Sequence, residues 1–230
     1  MRHLWVIGFF LFVFSCSQSS SDKERAIEDS SETETPVEEE NPSRDTGDTP
    51  STPEDSQRTE WQNPDLVLDL LGDLSGKIVA DIGAGSGYFS FKIARRAEKV
   101  IALDIDPRAL DYIKEQIEIV GEWSKNIEPR LTPADVPNLL DEEVDLVLIV
   151  NTYGFIPSKE DYLPRVLNGI KPGGKLVIVD FKSGNIPVGP SDQFKVETSK
   201  VIGTLRQAGF KRMRKDEESL QYQYIITAEK

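Results

Sequence analysis

The sequence predicts an α/β fold: a mostly parallel sheet with helices on both faces and an antiparallel pair of strands at one edge. Three observations carry this. The run Ile78-Val79-Ala80-Asp81-Ile82 leads into glycines at positions 83, 85 and 87 and then into a helical pattern. A second apolar run, Val100-Ile101-Ala102-Leu103, ends in Asp104, 23 residues after Asp81. The segment Val144–Val150 is almost wholly apolar, as a strand buried on both faces must be. Strands that alternate with helical segments assemble as parallel βαβ units.

Each element has its own reason. Asn63-Pro64-Asp65 supplies a capping side chain, a proline for the first helical position and an acid for the first turn. Leu66, Val67, Leu70 and Leu71 give that helix its apolar face, and Gly72 or Gly76 ends it. The first strand is expected near residues 77–82, a helix from about Tyr88 to Ala97, and the second strand at 100–104. Asp106-Pro107 opens the next helix, with Leu110, Ile113, Ile117 and Val120 at helical spacing and Gly121 closing it. A short strand is expected near 128–131 and a long buried one at 144–150. Ser158-Lys159-Glu160-Asp161 starts a helix that runs to about Gly169. Lys171-Pro172-Gly173-Gly174 reads as a turn before a strand at 175–180. A helix near 197–208 and two strands, near 210–214 and 220–228, complete the fold.

Ligand chemistry is expected at the glycine-rich stretch. Glycines there let the backbone turn sharply and approach a ligand. The helix that follows would point its free N–H groups at that ligand. A carboxylate at Asp104 can accept hydrogen bonds from both hydroxyls of a ribose. The dinucleotide fingerprint places glycines at relative positions 1, 3 and 6; here they fall at 1, 3 and 5, and the sixth residue is Tyr88. Asp81, two residues before the first glycine, would repel a pyrophosphate. It can instead hold a cationic amino group, directly or through water. These properties suit S-adenosylmethionine, whose methionine part is zwitterionic, better than NAD. Taken alone, the loop also fits a tight turn in an unrelated α/β protein.

The stretch resembles motif I of the class I S-adenosylmethionine-dependent methyltransferases, and the likeness extends over about residues 60–230. It implies the Rossmann-like methyltransferase fold, with a seven-stranded sheet and a C-terminal antiparallel hairpin. It implies that Asp81, Gly83, Ala84, Gly85 and Gly87 meet the cofactor and that Asp104, with Ile105 beside it, holds the ribose. In Thr132-Pro133-Ala134-Asp135, Asp135 takes the place of the acid that faces adenine. In Asp145-Leu146-Val147-Leu148-Ile149-Val150-Asn151-Thr152-Tyr153, Asn151 borders the methyl-transfer site. Leu167-Asn168-Gly169-Ile170-Lys171-Pro172-Gly173-Gly174-Lys175-Leu176-Val177-Ile178 looks like a further family passage. Val179-Asp180-Phe181-Lys182 and Pro187-Val188-Gly189-Pro190 resemble a subgroup of small-molecule-type methyltransferases found with secretion signals. Members of that subgroup often carry two histidines after Asn-Thr-Tyr, where this chain has Gly154-Phe155.

Composition limits the mechanism. The single histidine is His3 and the single cysteine is Cys16. A catalytic triad, a cysteine nucleophile in the folded part and a His or Cys metal site are thereby excluded, and no metal is expected. The catalytic candidates are Tyr153, as a donor or acceptor to the substrate or as a plain packing aromatic, and more weakly Asp180 and Lys182. Trp61-Gln62-Asn63-Pro64 reads either as a lid over the cofactor or as a core anchor.

Arg2 precedes the apolar run Leu4–Phe14, and Ser15-Cys16 follows it. Eleven residues are too few to span a membrane as a helix, which takes about 20. The run fits a signal peptide over residues 1–16, and its end resembles a bacterial lipobox with Cys16 as the lipidated residue. Residues 17–58 are rich in Ser, Thr, Glu, Asp and Pro and read as a disordered acidic tether. Residues 17–60 hold 14 acids against 4 bases, so the chain's net charge of −13 belongs mainly to the tether. Residues 59–230 read as one domain without basic excess, which speaks against a nucleic-acid partner. The expected partners are a small-molecule substrate and, through the lipid, the membrane of a bacterial cell envelope. The leading expectation is an exported, lipid-anchored methyltransferase. A non-catalytic nucleoside or S-adenosylmethionine-binding module on the same fold is the second, and a structural envelope protein the third.

Overall fold

A computed structural model describes residue 50 and residues 52–230. The signal-like segment, Cys16 and most of the acidic tether lie outside the described residues. In chain order the elements are α1 (Pro53–Gln62), α2 (Pro64–Leu71), β1 (Ile78–Ile82), α3 (Tyr88–Ala94), β2 (Lys99–Asp104), α4 (Pro107–Val120), β3 (Ile127–Leu131), β4 (Val144–Val150), α5 (Lys159–Gly169), β5 (Ile170–Phe181), α6 (Thr198–Ala208), β6 (Lys211–Asp216) and β7 (Gln223–Glu229). Single 3-10 turns occupy 122–124, 153–155 and 192–194.

The seven strands form one sheet in the order β3-β2-β1-β4-β5-β7-β6. Strands β1 to β5 run parallel, and β7 is antiparallel to both β5 and β6. This is the expected mostly parallel sheet with a C-terminal hairpin. Alternate residues of each strand face opposite sides, so two cores form. Val79, Ala102, Leu148 and Val177 pack with α2, α3 and α4 on one face. Ala80, Ile101, Val147 and Ile178 pack with α5 and α6 on the other. The strand order reverses between β1 and β4, and a parallel sheet opens a crevice beyond the C-terminal strand ends at such a reversal.

The sequence placed the tether's end at residue 58, but α1 already begins at Pro53. Thr52 caps it reciprocally: the Asp55 N–H donates to Thr52 Oγ1 at 3.2 Å, and the Thr52 N–H donates to Asp55 Oδ2 at 2.9 Å. The expected turn at 171–174 is instead a bulge inside β5. Pairing runs from Val144↔Ile170 to Leu146↔Lys175 across a register shift. None of the helices among the described residues is long and apolar enough to cross a membrane.

Candidate functional site

Strand β1 delivers its chain into the loop 83–87 at the reversal point. Gly83 has φ 78°, and a Cβ there would lie 2.1 Å from Thr152 Oγ1. Only glycine lets the end of β1 pass so close to the segment after β4. The loop is held from within. The N–H groups of Gly83 and Ala84 donate to the Leu103 carbonyl at 2.8 and 3.0 Å, and that of Gly87 to the Ala84 carbonyl at 2.9 Å. The Gly85 N–H donates to Asp104 Oδ2 at 2.7 Å, while Asp104 Oδ1 accepts from the Asp106 N–H at 2.9 Å. One carboxylate thus fixes the loop against the end of β2. These four loop donors are engaged within the protein, and α3, which follows, has 7 residues.

Asp81 is 3% exposed below the loop and accepts from Ser90 Oγ at 2.7 Å. Burial pushes its carboxyl up to about 6, against the opposing pull of Ser90 and of the Arg58 charge. Beside the loop lies a cavity of about 230 Å³ lined by Gly83, Asp104, Ile105, Pro133, Phe155 and Tyr162, among others. Ile105 is 62% exposed although apolar, and it offers a flat greasy surface next to the Asp104 carboxylate. An adenosine needs that pairing: apolar contact for the base and an acceptor for the ribose hydroxyls. The buried acid at 81 suits an ammonium group, so the donor set fits S-adenosylmethionine.

The structure gathers the expected residues unequally. Gly83, Asp104 and Ile105 line the cavity. Ala84, Gly85 and Gly87 shape the loop, and Asp81 lies beneath it. Asp135 is exposed and outside the cavity lining; after β3 the chain turns Thr132, Pro133 and Ala134 inward instead. Asn151, at φ 56°, is half-buried, and its Oδ1 accepts from Gln223 Nε2 and from Gln62 Nε2, the latter at 3.5 Å. It therefore belongs to a side-chain amide network.

Tyr153 is corrected. The 3-10 turn sends its ring into the core with α5 and α6, where it is fully buried. Its hydroxyl makes no hydrogen bond of regular geometry among the described residues, and burial pushes it up to about 12 against the opposing pull of the nearby Thr204 side chain. Tyr153 is not among the residues that line the cavity, so the structure gives the packing aromatic of the two readings. Asp180 accepts from the N–H groups of Gly154 and Phe181 at 3.1 and 2.7 Å and is pushed up to about 6 by burial. Lys182 Nζ donates to the Leu220 and Gln221 carbonyls at 2.7 and 3.0 Å. Both serve the fold.

Sequence reasoning missed two aromatics of the cavity, Tyr162 and Phe155. Tyr162 of α5 lines the cavity. Phe155 lines it too, is 51% exposed, and stacks on Phe194 with centroids 4.7 Å apart at 27°. No period or motif in a single sequence connects Phe155 with a residue 39 positions downstream. Trp61 packs on Phe181 at 5.6 Å, and Gln62 is fully buried, donating to Gln223 Oε1 at 3.1 Å.

With this geometry in view, the comparisons with known proteins agree. Residues 80–178 match the family model described as "Methyltransferase domain". The chain is similar to a demethylmenaquinone methyltransferase of Tropheryma whipplei, with 31% identity over 125 residues, 54% of this chain and 49% of that protein. It thus spans about half the length of the curated relatives it matches. Among solved structures it is similar to a SAM-dependent methyltransferase from Aquifex aeolicus, at 25% identity and a TM-score of 0.69, covering 75% of this chain and 92% of that one. Phosphoethanolamine N-methyltransferase 2 of Haemonchus contortus, solved in complex with S-adenosyl-L-methionine, shares the fold at 14% identity and a TM-score of 0.63, covering 74% and 52%.

Proposed function

We propose that this protein transfers a methyl group from S-adenosylmethionine to a small molecule, and that it does so anchored in a bacterial cell envelope by a lipid on Cys16. The observation that carries the activity is the Gly85–Asp104 contact at 2.7 Å, which holds the glycine-rich loop and the ribose acid as one preformed unit at the β1/β4 reversal.

The cofactor, when bound, supplies both the electrophilic methyl group and the leaving thioether. The chain's own residues position and exclude. Asp104 accepts from the ribose hydroxyls, Ile105 and the 132–134 segment cover the base, and ionised Asp81 holds the ammonium. Phe155 and Tyr162 shield the cavity from water. The acceptor must be held about 3–3.5 Å from the methyl carbon and in line with it. Tyr153, Asp180 and Lys182 are all committed to the fold. The acceptor therefore supplies a nucleophile that is already unprotonated at working pH, such as a thiolate, an enolate or a free amine.

That same commitment favours one alternative, a binding module that holds the cofactor without turnover. Calorimetric titration of S-adenosylmethionine and its demethylated product into the full chain tests binding, with Gly85→Arg as the non-binding control. Micromolar binding lost in Gly85→Arg supports the site, and no binding by folded protein rejects it. Radiolabelled methyl transfer to a small-molecule extract then separates enzyme from module. Fatty-acid labelling that disappears in Cys16→Ser tests the anchor.

A further inference from the structure

Asp180 is buried at the end of β5 and is not among the residues that line the cavity. Its bonds serve one short turn. The chain after β4 bends at Thr152 into the 3-10 turn 153–155, and the Thr152 side chain does not cap it. A turn of one winding leaves N–H groups without internal partners at its start and carbonyls without them at its end. Here both ends are met from outside. Asp180 Oδ2 accepts from the Gly154 N–H at 3.1 Å, and the Tyr153 N–H also bears on the carboxyl. Asp180 Oδ1 accepts from the Phe181 N–H at 2.7 Å, which fixes the plane of the group. At the other end Lys159 Nζ donates to the Gly154 and Ile156 carbonyls at 3.3 and 2.7 Å. An acid at the amide end and an ammonium at the carbonyl end both match the direction of the peptide dipoles.

The turn carries a wall of the cavity. Thr152, Phe155 and Ile156 line it, whereas Tyr153 packs into the core with α5 and α6. Phe155 is exposed, and the ring it stacks on, Phe194, comes from the irregular segment after β5. A half-exposed ring is not locked by packing, so the backbone beneath it decides where it points. That backbone is the one held between Asp180 and Lys159.

We infer that Asp180 is a cofactor-positioning residue: with Lys159 it clamps the turn 153–155 so that the Phe155 ring stands against the bound nucleoside. The inference rests on the reading of this cavity as a site for S-adenosylmethionine. In that role an acid outside the cavity acts on the ligand through the Gly154 N–H and the ring next to it. The clamp requires an acceptor at 180 rather than a charge. A protonated carboxyl and a carboxamide both still offer an oxygen to the Gly154 N–H.

A double-mutant cycle separates this role from a structural one. S-adenosylhomocysteine is titrated calorimetrically into the full chain and into Asp180→Ala, Asp180→Asn, Phe155→Ala and the double variant Asp180→Ala with Phe155→Ala. Asp180→Ala is expected to lose about fivefold in affinity, and Phe155→Ala about as much through the apolar contact given up. Asp180→Asn keeps the acceptor and is expected to stay within about twofold of wild type. If Asp180 acts through Phe155, the double variant binds within about twofold of Phe155→Ala alone, whereas independent sites give the product, about 25-fold. The product overturns the inference. So does unchanged affinity in folded Asp180→Ala or in Phe155→Ala, and so does a loss in Asp180→Asn as large as in Asp180→Ala. A merely structural acid would shift the unfolding temperature and leave the affinity of the folded protein alone. Thermal unfolding shows which variants are folded. If Asp180→Ala is not, Lys159→Met takes its place in the cycle, removing the donor at the other end of the turn while keeping the aliphatic stem, and the same results decide. Wild-type protein that does not bind S-adenosylhomocysteine rejects the cofactor reading itself, a separate outcome from a missing coupling.

Discussion

The carbonyl oxygen of Phe194 lies 1.9 Å from where a Cβ on Gly154 would sit. The chain after β5 therefore fills the space that a side chain at 154 would need. The backbone at Phe194 has taken that room and brought a stacked aromatic, Phe155 on Phe194, to the cavity edge. Gly154→Ala is expected to lower stability by about 1–3 kcal/mol through overpacking, and Gly154→His by at least as much. Urea unfolding checks this. An unchanged midpoint would show that the 192–194 turn yields freely.

Tyr153→Phe is expected to leave methyl transfer and cofactor affinity as they are. Removing a buried hydroxyl whose contact with Thr204 falls short of a regular hydrogen bond is expected to raise stability slightly, by up to about 1 kcal/mol. Denaturation and activity measured on the same sample decide it. A large loss of activity would restore Tyr153 to the site.

Asp104→Ala is expected to weaken S-adenosylmethionine binding by about 1.5–3 kcal/mol, the value of hydrogen bonds to a charged group. Asp104→Asn keeps an acceptor for the Gly85 N–H and is expected to lose less. Calorimetry ranks the two. Equal affinity in all three proteins would remove the carboxylate from the ribose subsite.

Asp81 links the site to pH. Its carboxyl rises from an ordinary 3.8 to about 6 on folding, so the folded chain binds that proton more tightly than the unfolded one. Stability from this group is then highest below about pH 4, falls as pH climbs through 6, and stays low above it. The span is about 3 kcal/mol, from 1.36 kcal/mol per pKa unit. Asp81→Asn is expected to stabilise the protein by up to that amount at pH 7.5 and hardly at all at pH 4. Asp180 titrates in both proteins, so the difference between them isolates Asp81. Cofactor affinity is expected to run the other way, rising through pH 6 in wild type and staying flat in Asp81→Asn, because only the ionised acid holds an ammonium. Parallel stability curves for the two proteins would show that Asp81 does not titrate in this range.

Much of the fold was written in short-range pattern. The strands β1, β2 and β4 are apolar runs, and Asp106-Pro107 and Gly121 bracket α4 as caps do. The loop glycines and Asp104 were legible for the same reason, since a turn and a strand end are local. Helix α1 was not, because its sequence is polar. It is held by a capping box and by contacts with Ser86, Tyr88 and Gln223, which lie 24 or more positions away from any part of it. Between the two readings of Tyr153 the sequence could not choose, because a strand-end motif does not reveal the 3-10 turn that sends the ring into the core as a packing aromatic. Which of residues 132–135 line the cavity was not legible, because they lie in an irregular loop where no periodicity fixes direction.

Asp55 Oδ2 accepts from the Thr52 backbone, the Thr52 hydroxyl and Ser86 Oγ at 2.9, 3.0 and 3.0 Å. A single oxygen atom thus starts a helix and fastens it to the loop. Positions 52, 55 and 86 cannot drift one at a time: any substitution at 55 breaks the start of the helix and its mooring together. Close relatives that keep α1 should therefore inherit the three as a set or replace them as a set, whereas those with a different upstream segment should be free to vary Ser86. Covariation, rather than invariance, is the historical trace this contact would leave.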